Sequence, residues 1–288
     1  MKRVLITGKN SYVGNSFADW VKDDPNFEVY KISLRDSSWK EHNFSNYDVV
    51  LHVAGIAHVS TDPKMEDLYY KINRDLTIEV AEKAKSNGVT QFIFMSSIIV
   101  YGDSVPGGVI TRETIPNPAN FYGKSKLEAE KGIIPLNDDS FKVCIVRPPM
   151  IYGKNSKGNY PKLAKVARLL PVFPDIDNKR SMLHIDNLTE FIKQLILNQD
   201  QGYFFPQNKE YVNTSEMVRL IGEVHGKKVR LVKIFNPFIK PLITKINVLN
   251  KIFGSLYYMK NMDLTDTYKV NNLIETIVET ESRNKIYE

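Results

Sequence analysis

Short β-branched runs alternate with amphipathic stretches along the first two-thirds of the chain. "RVLIT", "EVYKIS", "DVVLHVA", "QFIFMSS" and "KVCIVRPP" read as strands, the last four ending at Ser33, Ala54, Ser97 and Pro149. Helical patterns lie between them. The stretch "LYYKINRDLTIEVAEKAKSNG" closes on Asn87-Gly88, a C-terminal stop. Strands separated by helices of this length make βαβ units and predict an α/β fold with a parallel sheet. Ligands of such sheets bind beyond the carboxyl ends of the strands, so the residues ending each run are the ones to inspect.

After Gly153 the alternation fades. "KNSKGNYPKL" and "LLPVFPDIDNKR" are rich in turn formers, and helices follow near Leu188–Asn198 and Ser215–Gly226. The pattern divides the chain into a parallel-sheet domain, residues 1–152 rejoined by 181–204, and a smaller domain, residues 153–180 and 205–288. The second domain is expected to cover the carboxyl edge of the sheet. Between Ile234 and Lys260 the chain carries four lysines, no acid and many large apolar residues. That composition suits a basic helix at a membrane surface, but Pro237 and Pro241 favour a packed lobe.

Composition changes this picture little. A chain of 288 residues with 42% hydrophobic content is long enough for one large domain or two unequal ones. The single cysteine, Cys144, excludes an internal disulfide and fits a reducing compartment, and its mid-strand position predicts a buried, inert thiol. "MKRVLITG" has too few apolar residues for a signal peptide, and no apolar run reaches the roughly 18 residues of a membrane span. A net charge of +6 could point to nucleic acid or acidic lipid, but the basic residues are scattered among 33 acidic ones and the charge alone decides nothing.

The first run leads straight into "ITGKNSYVGNSF", where Gly8 and Gly14 stand six apart and Ser11 occupies the place of a middle glycine. Gly8 permits the tight bend, Gly14 lets the next helix pack on the sheet, and the N–H groups of Lys9, Asn10, Ser11, Tyr12 and Val13 are expected to face a pyrophosphate. Ser11 takes up room but supplies a hydroxyl donor. At the end of the second run, an acidic residue would select NAD by accepting from the adenosine ribose. Ser33 and Arg35 stand there instead, a pair suited to a 2′-phosphate, so NADP is favoured with NAD as the alternative. Asp36 takes the acidic role if the strand runs longer. Ala54 and Gly55 after the third run and Pro149 after the fifth complete the expected dinucleotide contacts.

"NFYGKSKLEAE" holds the one tyrosine of fifteen with a lysine four residues on, Tyr122 and Lys126. They fall on one face at the start of a helix. An adjacent ammonium favours the ionised phenol, so Tyr122 is expected to exchange a proton with a substrate alcohol or ketone near neutral pH. Lys126 would also hold the nicotinamide ribose, and Ser97 would position the reacting oxygen.

Six motifs, "TGKNSYVG", "DVVLHVAG", "SSIIVYG", "YGKSK", "VRPPMIYG" and "KRSMLHIDNL", resemble in order and spacing those of the extended short-chain dehydrogenase/reductases over about residues 1–225. The resemblance implies a Rossmann-type doubly wound sheet and NAD(P)-dependent chemistry on a nucleotide sugar in the cytoplasm. It further implies a homodimer, a UDP-sugar substrate and no metal ion. Ser97, Tyr122 and Lys126 would be the catalytic triad, Asn73 would match the asparagine that supports the site from the family's fourth helix, and Arg180 would match an arginine that binds the substrate diphosphate. Met150 stands where many relatives place a substrate-contacting asparagine. His58 is expected to face the substrate, His184 to be structural. Sugar dehydratases of this superfamily carry an Asp-Glu pair directly after the catalytic Ser/Thr; Ile98 and Ile99 stand there here, so dehydration is disfavoured. The expected reaction is C4 reduction of a UDP-4-keto-6-deoxy-N-acetylhexosamine for bacterial capsule or O-antigen. A 4-epimerase holding NAD tightly is the alternative, and a non-catalytic NADP sensor or scaffold is the alternative of another class.

Overall fold

The structure is a computed structural model that describes residues 1–282 other than 57–61, 104 and 263–264. His58, expected at the substrate, lies outside the described residues. The chain divides into two compact units, one of Met1–Gly102, Pro116–Pro148 and Leu188–Pro206, the other of Asp103–Ile115, Pro149–Asn187 and Gln207–Glu288.

The first unit is built on six strands: β1 (Lys2–Thr7), β2 (Phe27–Ile32), β3 (Val49–His52), β4 (Gln91–Met95), β5 (Lys142–Val146) and β6 (Gly202–Phe204). They lie in the order β6-β5-β4-β3-β1-β2, with every pairing parallel. The side-chain period of two explains the near-continuous apolar runs. Leu5, Val50, Phe92, Phe94, Val143 and Ile145 share one core with Val80, Ala81 and Ala84 of α2 (Leu76–Ser86) and Ala129 and Ile133 of α3 (Phe121–Ile133). The intervening Val4, Ile6, Val49, Leu51, Ile93 and Cys144 are equally buried, so the sheet is covered on both faces. Two helices flank it besides: α1 (Tyr12–Trp20), which buries Phe17, and α4 (Ile185–Asn198). The chain crosses from the β1–β2 side of the sheet to the β3 side, which makes the carboxyl ends of β1 and β3 the switch point where such sheets bind ligands.

Strands end earlier than their apolar runs. Ile32, His52, Met95 and Val146 are the last paired residues, because the chain must leave the ladder to form the turns at the carboxyl edge. Gly202–Phe204, too short for a strand signal, supplies the sixth strand beside β5.

The second unit packs helices Asn159–Leu169, Thr214–Val224 and Leu273–Ser282 around a core that includes Tyr152, Phe173, Met182, Val218, Phe253 and Ile277. Its boundaries differ from the expected ones. Val109–Ile110 pairs with Tyr257–Tyr258, and Met150–Tyr152 with Met182–His184, so these ladders draw 103–115, 149–152 and 181–187 into this unit.

Candidate active site

The turn after β1 is shaped by close approach. Gly8 has φ +103°, and a Cβ there would lie 3.0 Å from the Ala54 nitrogen at the end of β3. A Cβ on Gly14 would sit 2.5 Å from Ser11 Oγ and 2.7 Å from Ile6 Cγ2, so the helix rests on the strand at a distance only glycine allows. Ser11 is the N-cap of α1, its Oγ accepting from Gly14 N at 3.1 Å. The hydroxyl read as a phosphate donor is thus also a helix cap. The set of amides facing outward is narrower than expected, because Lys9 N donates to Ile32 O at 3.0 Å and Ser11 N to Gly8 O at 2.8 Å. The first-turn donors of Tyr12 and Val13 are the ones directed along the helix axis.

Ser33 lies one residue past β2, and its Oγ accepts from Arg35 N at 3.3 Å. Asp36 is engaged locally. It caps the turn Ser37–Lys40, accepting from Ser38 N at 2.9 Å and from the Ser38 hydroxyl. These bonds hold its carboxyl below the usual range.

Ser97 begins a 3₁₀ turn at Ile98–Tyr101 after β4, where its Oγ accepts from Ile99 N at 3.3 Å. Helix α3 starts beside that turn. Asn120 caps it by accepting from Gly123 N at 2.9 Å, and Gly123 lies against the turn, since a Cβ there would be 2.9 Å from Ile99 O. The glycine of "YGKSK" therefore lets the helix start close enough to bring the Tyr122 phenol beside Ser97. One turn on, Lys126 Nζ donates to Met95 O at 2.9 Å and lies 4.5 Å from the centre of the Phe94 ring. Opposite, an added Cβ on Gly55 would come 3.3 Å from that ammonium and 2.9 Å from Asn73 Oδ1.

Asn73 sits in a π-helical turn, Tyr70–Asp75, in the helical segment that precedes β4. The turn places a fully buried amide where it accepts from Ile56 N at 2.8 Å and donates to Ile56 O and to Ser125 Oγ, each at 3.2 Å. It therefore clamps the Gly55-Ile56 turn to α3. Sequence reasoning passed over a second buried link. His52 ends β3 with Nδ1 2.8 Å from Thr7 Oγ1 and Nε2 3.0 Å from Thr77 Oγ1, which in turn donates to Asn73 O at 2.8 Å. Burial, with Lys126 nearby, lowers the His52 pKa to about 3. The signal was the one histidine within an otherwise apolar strand run.

The protonation states correct one expectation. Tyr122 is 8% exposed, and burial pushes its pKa up to about 12, with Ser97 beside it opposing and Tyr69 adding to the rise. Burial lowers that of Lys126 to about 8, with Glu130 opposing. The phenol is thus held as a neutral proton donor, because Lys126 is anchored on Met95 O and desolvation outweighs any gain from its charge.

Glu130 is itself engaged by Arg147 through Nε and Nη2 at 3.0 and 2.5 Å and by the Ser96 hydroxyl, while Arg147 Nη1 donates to Tyr101 Oη at 2.7 Å. This buried pair ties α3 to both ends of the Ser97 turn.

Pro149, Met150 and Arg180 belong to the second unit. Met150 opens a strand and packs against that unit's core. Arg180 Nη1 donates to Gly254 O at 2.8 Å, at the carboxyl end of helix Asn247–Phe253, a cation placed where the helix dipole favours one. His184 is buried, 5.2 Å edge-on to Tyr152. Its ring, Asp186 and Glu279 bring ligand atoms within 4.8 Å of one another, but all three are engaged with other protein groups and we assign no ion. Cys144 Sγ donates to Asp200 O at 2.7 Å, and burial raises its pKa far above the ordinary thiol value, as an inert thiol requires.

A parallel sheet with a glycine turn at its switch point and a Ser-Tyr-Lys group at the same edge defines a class, and comparison with known proteins agrees. The chain belongs to the NAD dependent epimerase/dehydratase family, whose model matches residues 3–205. It is 34% identical over 245 residues to UDP-glucose 4-epimerase of Vibrio cholerae, covering 76% of this chain and 74% of that protein. It is 27% identical over 281 residues to N-acetyl-alpha-D-glucosaminyl-diphospho-ditrans,octacis-undecaprenol 4-epimerase of Escherichia coli O157:H7, covering 90% and 83%. In fold it resembles a dTDP-4-dehydrorhamnose reductase ortholog from Clostridium acetobutylicum, with a TM-score of 0.75 at 20% identity over 99% of this chain and all of that one. UDP-glucuronic acid 4-epimerase from Bacillus cereus, solved with NAD, gives the same TM-score at 16% identity, again over 99% and 100%.

Proposed function

We propose that this protein is an oxidoreductase that transfers hydride at C4 of a sugar carried on a diphosphate, as an NADPH-dependent 4-ketoreductase. The observation that carries the reading is the placing of Ser97, the buried Tyr122 and the buried Lys126 together on the carboxyl edge that also holds the Gly8–Gly14 turn. The residues fit a nicotinamide dinucleotide: Gly8 and Gly14 bring helix α1 close under the turn, and Gly55 keeps the space beside Lys126 free of a side chain. Gly8, Asn10, Ser11, Tyr12, Val13, Gly14, Ala54 and Gly55 would hold its pyrophosphate and adjoining ribose, and Ser33 and Arg35 a 2′-phosphate.

Bound nicotinamide would supply the hydride. The protein's part is the proton and the aim. Tyr122, neutral with its pKa near 12, donates its hydroxyl proton to the ketone oxygen as charge develops there. Ser97 holds that oxygen through its own hydroxyl. Lys126, with a pKa lowered to about 8, remains largely charged at neutral pH and stabilises the phenolate left behind. Ile98 and Ile99, which directly follow Ser97, cannot move a proton, which disfavours elimination of water from the sugar. The substrate we favour is a UDP-4-keto-6-deoxy-N-acetylhexosamine of a bacterial surface polysaccharide. Chemistry at C4 leaves the diphosphate's other substituent untouched; that substituent is a nucleoside in the first relative's name and a polyprenol in the second's.

The names of those relatives favour a second reading, 4-epimerisation with a retained cofactor. Nicotinamide absorbance during turnover separates them. A reductase oxidises one equivalent of NADPH per sugar reduced, whereas an epimerase turns over with no net change. Absence of any hydride transfer with every nucleotide sugar offered would leave a nucleotide-binding sensor as the surviving interpretation.

A further inference from the structure

We propose that residues 233–251 of the second unit form a docking surface for an anionic lipid bilayer. The assignment is independent of the reaction at C4. This is the stretch whose prolines argued for a packed lobe, and part of it is one: Ile239, Ile243 and Leu249 pack on the unit's core. The other part points out. Ile234, Phe238 and Val248 are 72%, 74% and 64% exposed, and Phe235, Leu242 and Ile246 are each at least 40% exposed. Six large apolar side chains on one short stretch exceed what a soluble surface scatters by chance, and such patches mark places where something else is covered.

Charge identifies the occupant. Lys240, Lys245 and Lys251 are exposed among these apolar residues, and no Asp or Glu occurs from Ile234 to Lys260. Among the described residues none of the three lysines pairs with a carboxylate. Lys233, at the border, lies 3.8 Å from Asp175, the one acid paired with this stretch among the described residues. Large apolar side chains interleaved with unpaired lysines match the acyl–headgroup boundary of a bilayer carrying negative lipids. Pro237 and Pro241 break the segment into short helical pieces, Asn236–Ile239, Lys240–Leu242 and Asn247–Phe253, so it offers a shallow plane of side chains instead of one long helix. No helix among the described residues is long and apolar enough to cross a membrane, which fits attachment to one leaflet. A second copy fits less well, because a two-fold interface would set the same unpaired lysines against each other.

Flotation with vesicles tests this. The protein should rise with vesicles of phosphatidylcholine containing one-third phosphatidylglycerol, stay behind with phosphatidylcholine alone, and be released from the former by high salt. Ile234→Ser with Phe238→Ser, and separately Lys240→Glu with Lys245→Glu, should each weaken binding by about tenfold or more. Both variants should keep wild-type thermal stability and wild-type turnover of a soluble nucleotide sugar. Failure of the wild type to float, or equal flotation on both vesicles, overturns the proposal. So does conversion of a dimer to a monomer by either pair of substitutions with vesicle binding unchanged, which would make the patch a self-association face.

Discussion

Tyr122 and His52 are both buried, and both are held neutral, but burial works on them in opposite directions. For the phenol, a pKa near 12 fixes the proton on the oxygen until substrate demands it. Tyr122→Phe should keep cofactor affinity and lower turnover by roughly a hundredfold or more, since it removes the acid alone; near-wild-type kcat would place the proton donor elsewhere. For the imidazole, the folded pKa of about 3 lies below the ordinary 6.5. Between those values the unfolded chain takes up a proton that the folded chain refuses. The His52 contribution is therefore complete above about pH 6.5 and lost as pH falls toward 3, at up to about 1.4 kcal/mol per pH unit. Urea unfolding at a series of pH values from neutral to mildly acidic should show a steeper loss for the wild type than for His52→Gln. Parallel slopes would mean that the imidazole accepts its proton in the folded state.

At the scale of an element, the turn from β1 into α1 depends on Gly14 lying against Ile6. Gly14→Ala should cost about 1–3 kcal/mol, the usual penalty for a methyl forced into packed surroundings, while Ser11→Ala should cost about 1 kcal/mol for a lost cap. Denaturation midpoints at unchanged m-value read both. A Gly14→Ala midpoint equal to wild type would show that Ser11 and Ile6 move aside freely. This turn was legible in the sequence because its cause is local: a glycine needed for φ and a glycine needed for contact leave their mark in the residue type. The Tyr122–Lys126 spacing was legible for the same reason, being one turn of one helix. Long-range causes left weaker marks. The π turn that aims Asn73 has no local signature, and the Gly202–Phe204 strand exists only because β5 offers an edge to pair with. The direction of the Tyr122 shift was misread because spacing reports the nearby ammonium but not the burial that outweighs it. Asp36, a candidate acid by sequence, is committed to capping its own turn, which only the strand end at Ile32 reveals.

For the whole molecule, the choice of cofactor decides which reaction is open to it. A reductase must release its oxidised nucleotide each cycle, whereas an epimerase returns hydride to the same sugar and gains by never letting go. The proposed contacts of Ser33 and Arg35 with a 2′-phosphate are charge-assisted hydrogen bonds of about 1.5–3 kcal/mol when well formed. One such contact already implies about a tenfold preference for NADPH over NADH. Asp36 Oδ1 already accepts from Ser38 N and from the Ser38 hydroxyl, so one oxygen of the nearest acid is engaged within its own turn. Ser33→Asp combined with Arg35→Ala should reverse the order, since a carboxylate at the strand end repels the phosphate and accepts from a ribose. The measurement is the dissociation constant of each nucleotide for wild type and the double variant, by fluorescence titration. Wild-type protein that binds NAD as tightly as NADP, or that purifies with NAD that will not exchange, would remove the ground for reduction. The same Ser97, Tyr122 and Lys126 would then serve an epimerase, with Tyr122 taking the C4 hydroxyl proton and giving it back.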